Sequence, residues 1–387
     1  MPSYAAMDDG RLIARLAPTV GSLPRDEWDR LAGRDNPFMA HDFLTALEES
    51  GSVGPHTGWA PAPLVIEDRA GRLLAAAACY GKSHSQGEYV FDHAWADAWE
   101  RAGGDYYPKL QIAAPFTPAT GPRLLLSDSA HAAPLLRAVE HLCRENGFSS
   151  AHATFIEEAQ LPLFEQAGWL RRSDIQFHWH NRDYARFEDF LAALSSRKRK
   201  AVRKEREAAQ DGVTIRALTG GDIRPEHWDA FWLFYQDTGA RKWGQPYLTR
   251  AAFELLGERM GDRILLILAY DGATPIAGAL NFIGGTAIYG RYWGCLVDKP
   301  FLHFELCYYQ AIDAAIARGL DRVEAGAQGG HKLARGYEPV QTWSMHHIAD
   351  PRFRAAVADF LELERQGVAL DQLRLGEHTP FRKEGQG

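Results

Sequence analysis

The chain has 387 residues, 46% of them hydrophobic, with 11 Trp, 14 Tyr and 19 Phe; that is ample for two cores, and the length exceeds the roughly 100–200 residues of one domain. A formal net charge of −7 and a pI near 6.1 exclude a general nucleic-acid coat, which needs broad positive charge. The four cysteines, Cys79, Cys143, Cys295 and Cys307, form no C-x-x-C pair of the kind that announces zinc, so reduced buried thiols in a cytoplasmic protein are expected and no metal is.

At the N-terminus Arg11 and Arg15 interrupt the apolar "LIARLA", so no export signal is expected. Further on, "APLVIEDRAGRLLAAAACYGKS" reads as two strands joined by the turn "DRAG", and "GEYVFDHAW" as a third strand. A helix follows, "HAAPLLRAVEHLCREN", stopped by Gly147, and then a strand, "SSAHATF".

The middle of the chain, "SSRKRKAVRKEREAAQDGV", predicts a helix started by Ser195 or Ser196 and ended by Gly212. Arg197, Lys198, Arg199, Lys200, Arg203 and Lys204 crowd its first turns, where the helix dipole already presents positive charge. Two readings stay open: contact with a polyanion such as tRNA, or a solvated charged face balanced by Glu205 and Glu207. After it, "WDAFWLFYQ" and "RKWGQPYL" are aromatic enough to stack a base or a sugar, or to pack a core.

The second half repeats the first. "ILLILAYDGATPIAGALNF" reads as two strands around "YDGAT", "TAIYGRYWG" as a third, "PFLHFELCYYQAIDAAIAR" as a helix stopped by Gly319, and "LDRVEAG" as a closing strand. The uncharged stretch from Gly272 to Gly290 is split by Pro275 and by Gly284 and Gly285 into hairpin strands, so no membrane span is expected. Strand, strand, strand, helix, strand thus occurs twice, with a period of about two hundred residues, too long for a solenoid. The economical division is 1–184 and 185–387, the second part opening with the basic helix.

"EAGAQGGHKLARGY", Glu324 to Tyr337, places four glycines beside Gln328, His331, Lys332 and Arg335, just after a strand. It is not a phosphate-binding P-loop, because His331 and Leu333 stand where Gly and Ser or Thr are required. A plain turn needs fewer glycines. A ligand clamp is the better reading, with Lys332 and Arg335 holding carboxylate or phosphate oxygens and Gln328 orienting a carbonyl.

On the preceding helix Phe301, Glu305, Tyr308, Ile312 and Ala315 follow a spacing of 4, 3, 4 and 3, so Glu305 lies on an otherwise apolar stripe. It is a candidate general base; the alternative is a structural carboxylate held by Arg291 or Tyr292. His303, His331 and Tyr309 are further catalytic candidates, and Arg291 and Trp293 line the same end of the "YGRYWG" strand. His346 and His347 point to opposite faces of a strand and cannot chelate together.

The element order of each half resembles the GNAT acyltransferase fold, and the tandem arrangement resembles the FemAB-type aminoacyl transferases. "NPFMAHDFLTALEESGSVGPHTGW", "YYPKLQIAAPFTPATGPRLL", "LHFELCYYQAIDAAI" and "EAGAQGGHKLARGYEP" are similar to blocks of a bacterial FemAB-like family linked to peptidoglycan biosynthesis or recognition. The resemblance covers nearly the whole chain and implies a mixed α/β (α+β) class: tandem GNAT-like domains, each a twisted mixed sheet flanked by helices. It also implies a cytoplasmic N-acyltransferase that moves an acetyl, acyl or aminoacyl group from acetyl-CoA, another acyl-CoA or aminoacyl-tRNA to a primary amine on a small molecule or peptide. The other implied role is a non-catalytic module that recognises a peptide or cell-wall precursor. GNAT enzymes cradle pyrophosphate with a glycine-bearing loop; the nearest segment of the first half is "PFTPATGPRLL", with Thr117, Gly121 and Arg123, and Lys109 stands just before it. The corresponding "VDKPFLHFEL" of the second half has no glycine. The oligomeric state is left open.

Overall fold

The computed structural model describes residues 12–242, 246–327, 329–377 and 379–382. The chain divides into two units, Met1–Asp174 with Thr342–Val368, and Ile175–Gln341 with Ala369–Gly387. This differs from two consecutive halves. The segment from Thr342 to Ile348 pairs antiparallel with Ser150–Ile156, and Phe353, Val357 and Leu361 of the following helix bury against Trp95 and Tyr106. The first unit therefore completes its core with residues from late in the chain.

In the first unit, Ile13–Leu16, Leu64–Glu67, Leu73–Ala77 and Leu125–Leu126 form one antiparallel sheet in that order. A second sheet runs Trp59–Pro61, Cys79–Lys82, Lys109–Ile112, Ser150–Ile156 and the strand residues from Thr342 to Ile348. The helix Ala132–Glu145 buries Leu135, Leu136, Val139, Leu142 and Cys143, a stripe of helical spacing. Each such leucine contributes roughly 1.5–3 kcal/mol by leaving water. Contrary to expectation, "GEYVFDHAW" is not a strand: it is a loop leading into the helix His93–Arg101, whose Trp95 and Ala96 are buried. The sheet position beside Cys79–Lys82 is taken by Lys109–Ile112.

In the second unit the order is Thr214–Leu218, Ile264–Asp271, Thr274–Ile283, Ala287–Cys295, Arg322–Glu324, and then residues 178–180 of the strand Leu170–His180. Strand alternation sends Leu265, Ile267, Ala269, Ala277 and Ala279 to one core, shared with Ile312, Ala315 and Ile316 of the helix Gln310–Ala317. The other face receives the helix Pro225–Lys242, with Phe231 and Phe234 against Gly278. Gly294 is obligatory there, since a Cβ would lie 2.1 Å from the Phe234 carbonyl oxygen. The aromatic "WDAFWLFYQ" is thus packing: Phe231 and Tyr235 stand edge-on to Phe253.

Candidate functional site

Parallel strands open a crevice where their carboxyl ends part, and both units contain such a pair. In the first unit Lys109–Ile112 runs parallel to Ser150–Ile156. Its crevice is filled by the chain itself. Gly121 N–H donates to the Phe155 carbonyl at 3.0 Å and bridges to Ile156. Arg123, fully buried, donates Nε to the Thr154 carbonyl at 2.7 Å and Nη2 to the Ala119 carbonyl at 2.8 Å. Thr117 donates its hydroxyl to the Pro115 carbonyl at 2.9 Å.

Lys109, also fully buried, gives its ammonium to Ser85 and Glu88, each at 2.7 Å, and to Asp92. The expectation that Lys109, Thr117, Gly121 and Arg123 hold phosphate is therefore corrected. Their donors are spent on buried carbonyls and carboxylates, groups that would cost several kcal/mol to leave unmet.

In the second unit the pairing Ala287↔Arg322, Ile288↔Val323, Tyr289↔Glu324 stops there, while the first strand continues to Cys295. A bulge between Leu280 and Asn281 of the neighbouring strand distorts the sheet beside the opening. The helix below is interrupted by a π-turn, Glu305–Tyr309, a feature that re-aims side chains and is frequent at functional sites. The single stripe expected from the spacing is broken at this turn.

Trp293 meets His303 with ring centroids 5.1 Å apart, and His303 stands edge-on to Tyr308 at 5.4 Å. Tyr308 Oη and His331 Nε2 are 2.9 Å apart, and Phe304 lies 5.5 Å from the His331 ring. Burial raises the Tyr308 pKa, so the phenol keeps its proton. Burial, then the charges of Arg335 and Lys332, lower that of His331, which leaves an exposed neutral imidazole able to take a proton. Close approach of this ring to the backbone requires glycine at Gly329, with φ +109°: a Cβ would sit 2.2 Å from the imidazole.

A layer of charge beneath holds these rings. Arg335 stacks 3.4 Å over Phe304, donates to Glu205 at 2.8 and 3.0 Å, and donates Nη1 to the His331 carbonyl at 2.7 Å. Tyr309 donates its hydroxyl to the same Glu205. Lys332, its pKa pushed down to about 8 by burial, donates to the carbonyls of Ala325, at 2.5 Å, and Gly326, at 3.1 Å. Arg335, Lys332 and Tyr309 thus shape the loop rather than face its mouth.

Glu305 is corrected as well. It is wholly buried and accepts from Arg206 Nε and Nη2 at 3.1 and 3.0 Å, from Gln210 at 2.8 Å and from Gln310 at 2.7 Å. A carboxylate with four donors and no solvent is a structural anchor, and its partner is Arg206 rather than Arg291 or Tyr292. Arg291 lies half-buried on the strand, its guanidinium 5.1 Å over the Tyr292 ring. Gln328 falls outside the described residues.

The basic helix spans Ser196–Gln210. Val202 and Ala209 are buried, Glu205 and Arg206 reach inward to the networks above, and Arg197, Lys200, Arg203 and Lys204 are exposed, with Lys198 and Arg199 half-exposed. Arg203 pairs with Glu188 at 2.6 Å. The sequence reading missed Tyr308 as a hydroxyl partner and Glu205 and Arg206 as anchors. A signal for the anchors exists: both fall on the helical face of Val202 and Ala209. Among the described residues no group of three or more His, Cys, Asp or Glu is placed to hold a metal ion, and no helix is long and apolar enough to cross a membrane.

The architecture is that of a tandem GNAT-like protein, an α/β fold in which each unit contains one parallel strand pair. The model of the FemAB-like family, described as peptidoglycan biosynthesis/recognition, matches residues 19–383, and the chain belongs to that family. Among solved structures it is similar to FemX, with 11% identity, a TM-score of 0.55, and coverage of 86% of this chain and 98% of that one. It is also similar to the C-terminal domain of a putative lysylphosphatidylglycerol synthetase from Agrobacterium fabrum, with 10% identity, a TM-score of 0.54, and coverage of 87% and 95%. A conserved protein of unknown function from Bacteroides thetaiotaomicron gives 10% identity, a TM-score of 0.52, and coverage of 86% and 99%. No curated protein matches.

Proposed function

We propose that the second unit is an N-acyltransferase that moves an acyl or aminoacyl group from acyl-CoA or aminoacyl-tRNA to a primary amine. The supporting observation is the Tyr308–His331 pair, 2.9 Å apart at the open end of the parallel strands. Membership of a family described by peptidoglycan biosynthesis/recognition favours an amine on a cell-wall precursor as the acceptor.

The amine must be neutral to attack, and His331 takes the proton its ammonium gives up, releasing it to solvent. Attack on the carbonyl then forms a C–N bond directly, without an enzyme-bound intermediate. As the C–S or C–O bond of the donor breaks, Tyr308 gives its proton to the leaving sulfur or ribose oxygen. The remaining excess proton on nitrogen passes to His331 and from it back to Tyr308, so the pair ends as it began. Trp293 and His303 wall the crevice and hold the acyl chain or aminoacyl group against the carbonyl's line of attack.

The test is turnover with acetyl-CoA, long-chain acyl-CoA and charged tRNA against amine acceptors, in the wild type and in His331→Asn. Donor-dependent acylation that His331→Asn reduces by about 10²–10⁴-fold supports the reading. Precursor binding with no turnover from any donor would replace it by the recognition module.

A further inference from the structure

The loop between the strand Ala287–Cys295 and the helix turn Leu302–Phe304 carries Leu296, Val297 and Phe301 at 55%, 38% and 41% exposure. These large apolar side chains lie in the segment that joins Trp293 to His303, two rings 5.1 Å apart in the crevice, and Phe301 lies 6.3 Å from Phe304. Phe301 adopts φ +64°, a left-handed conformation that an aromatic residue takes only against a steric cost. The chain thus spends strain to present a phenyl ring to the outside.

The same loop is tied to the basic helix, because Lys299 Nζ donates to the carbonyl of Asp211, just past that helix's end, at 2.8 Å. With Val202, Glu205, Arg206 and Ala209 turned inward, helical geometry puts Arg197, Lys200 and Lys204 together on the opposite, outward face. Asp298, Glu207 and Asp211 are exposed acids near that face. Cations there oppose the helix dipole, so an anionic partner relieves them.

An apolar tip tied to the end of a helix that carries a cationic outward face has the composition of an interfacial anchor. The tip enters the headgroup and acyl boundary while the cations meet anionic phosphates. A nucleic-acid partner would use the stripe but leaves Leu296, Val297 and Phe301 without a role. We infer that Leu296, Val297 and Phe301, with Arg197, Lys200 and Lys204, seat the second unit on an anionic lipid surface, so that its crevice works at the face of a bilayer.

Vesicle sedimentation tests this with the full chain, using phosphatidylcholine vesicles with and without one quarter phosphatidylglycerol, at low and high salt. The readout needs no turnover and is therefore independent of the proposed transfer reaction. The expected result is binding to the anionic vesicles that weakens with salt. It should fall about tenfold or more in Leu296→Ser/Val297→Ser/Phe301→Ser and in Arg197→Glu/Lys200→Glu/Lys204→Glu. Leu233→Ser, at another exposed leucine of the same unit, should bind as the wild type. Circular dichroism melts check that each variant is folded, and either anchor variant suffices if the other fails to fold. Absence of vesicle binding, binding unchanged by the apolar variant, or salt-sensitive binding to tRNA without binding to vesicles would overturn the inference.

Discussion

Tyr308 reaches His331 across 23 residues of chain, phenol oxygen to imidazole nitrogen at 2.9 Å, at the point where two parallel strands part. The contact joins a re-aimed helix turn to a glycine-bearing loop, and neither element alone would place a proton acceptor there.

Because burial and two nearby cations lower the His331 pKa below its ordinary 6.5, the imidazole remains the acceptor form at neutral pH. Activity should therefore be level through neutrality and fall only at a pH more acid than the ordinary imidazole value. Replacement of Tyr308 by Phe should lower kcat by about 10²-fold or more while the fold survives, and a full pH–rate profile of kcat/KM checks both. A flat profile down to the acid range would remove His331 from the reaction.

Arg206 and Glu305 make the strongest stability prediction. Glu305 has no solvent, so Arg206→Met leaves a buried carboxylate uncompensated and should cost about 3–5 kcal/mol. Glu305→Gln should cost less, since it removes the charge and keeps the shape. Urea unfolding followed by tryptophan fluorescence separates the two. Equal and small effects would show that the network is dispensable.

Lys332 predicts a pH dependence. Its ammonium loses its proton near pH 8 in the folded protein but only near 10.5 when unfolded. Between these values the unfolded chain binds more protons, so this residue makes stability rise with pH across that window. Lys332→Met should abolish that rise while loosening the Ala325–Gly326 backbone, as read from thermal melts at a series of pH values.

At Gly294 an added methyl would press against the Phe234 backbone at 2.1 Å. Gly294→Ala should therefore destabilise by about 1–3 kcal/mol or block folding, since neither the strand nor the helix can yield. Gly319→Ala is the contrast: nothing lies within 4 Å of its Cβ position, and only its φ of +63° penalises the change, by roughly 1 kcal/mol.

Local signals were enough for most of the elements. The strands Ile264–Asp271, Thr274–Ile283 and Ala287–Cys295 follow from apolar runs bounded by turn residues, and the basic helix and the helix Ala132–Glu145 from their cap and stop residues. "GEYVFDHAW" misled because a short apolar run does not reveal whether its partner is a sheet edge or a helix face. At the site, His303, His331 and Trp293 were legible as chemistry-bearing residues near one another in element order. Lys109, Arg123 and Glu305 were legible only as charges.

The sequence by itself determined the α/β class and the family, because those depend on patterns within a few turns or over long blocks. Tertiary structure decided which charges face inward and which crevice stays open. Whether Glu305 serves a substrate or Arg206 depends on a contact between residues 99 positions apart. Desolvation and pairing, which set the fate of every buried charge, are properties of that packed neighbourhood and not of the residue's own place in the chain.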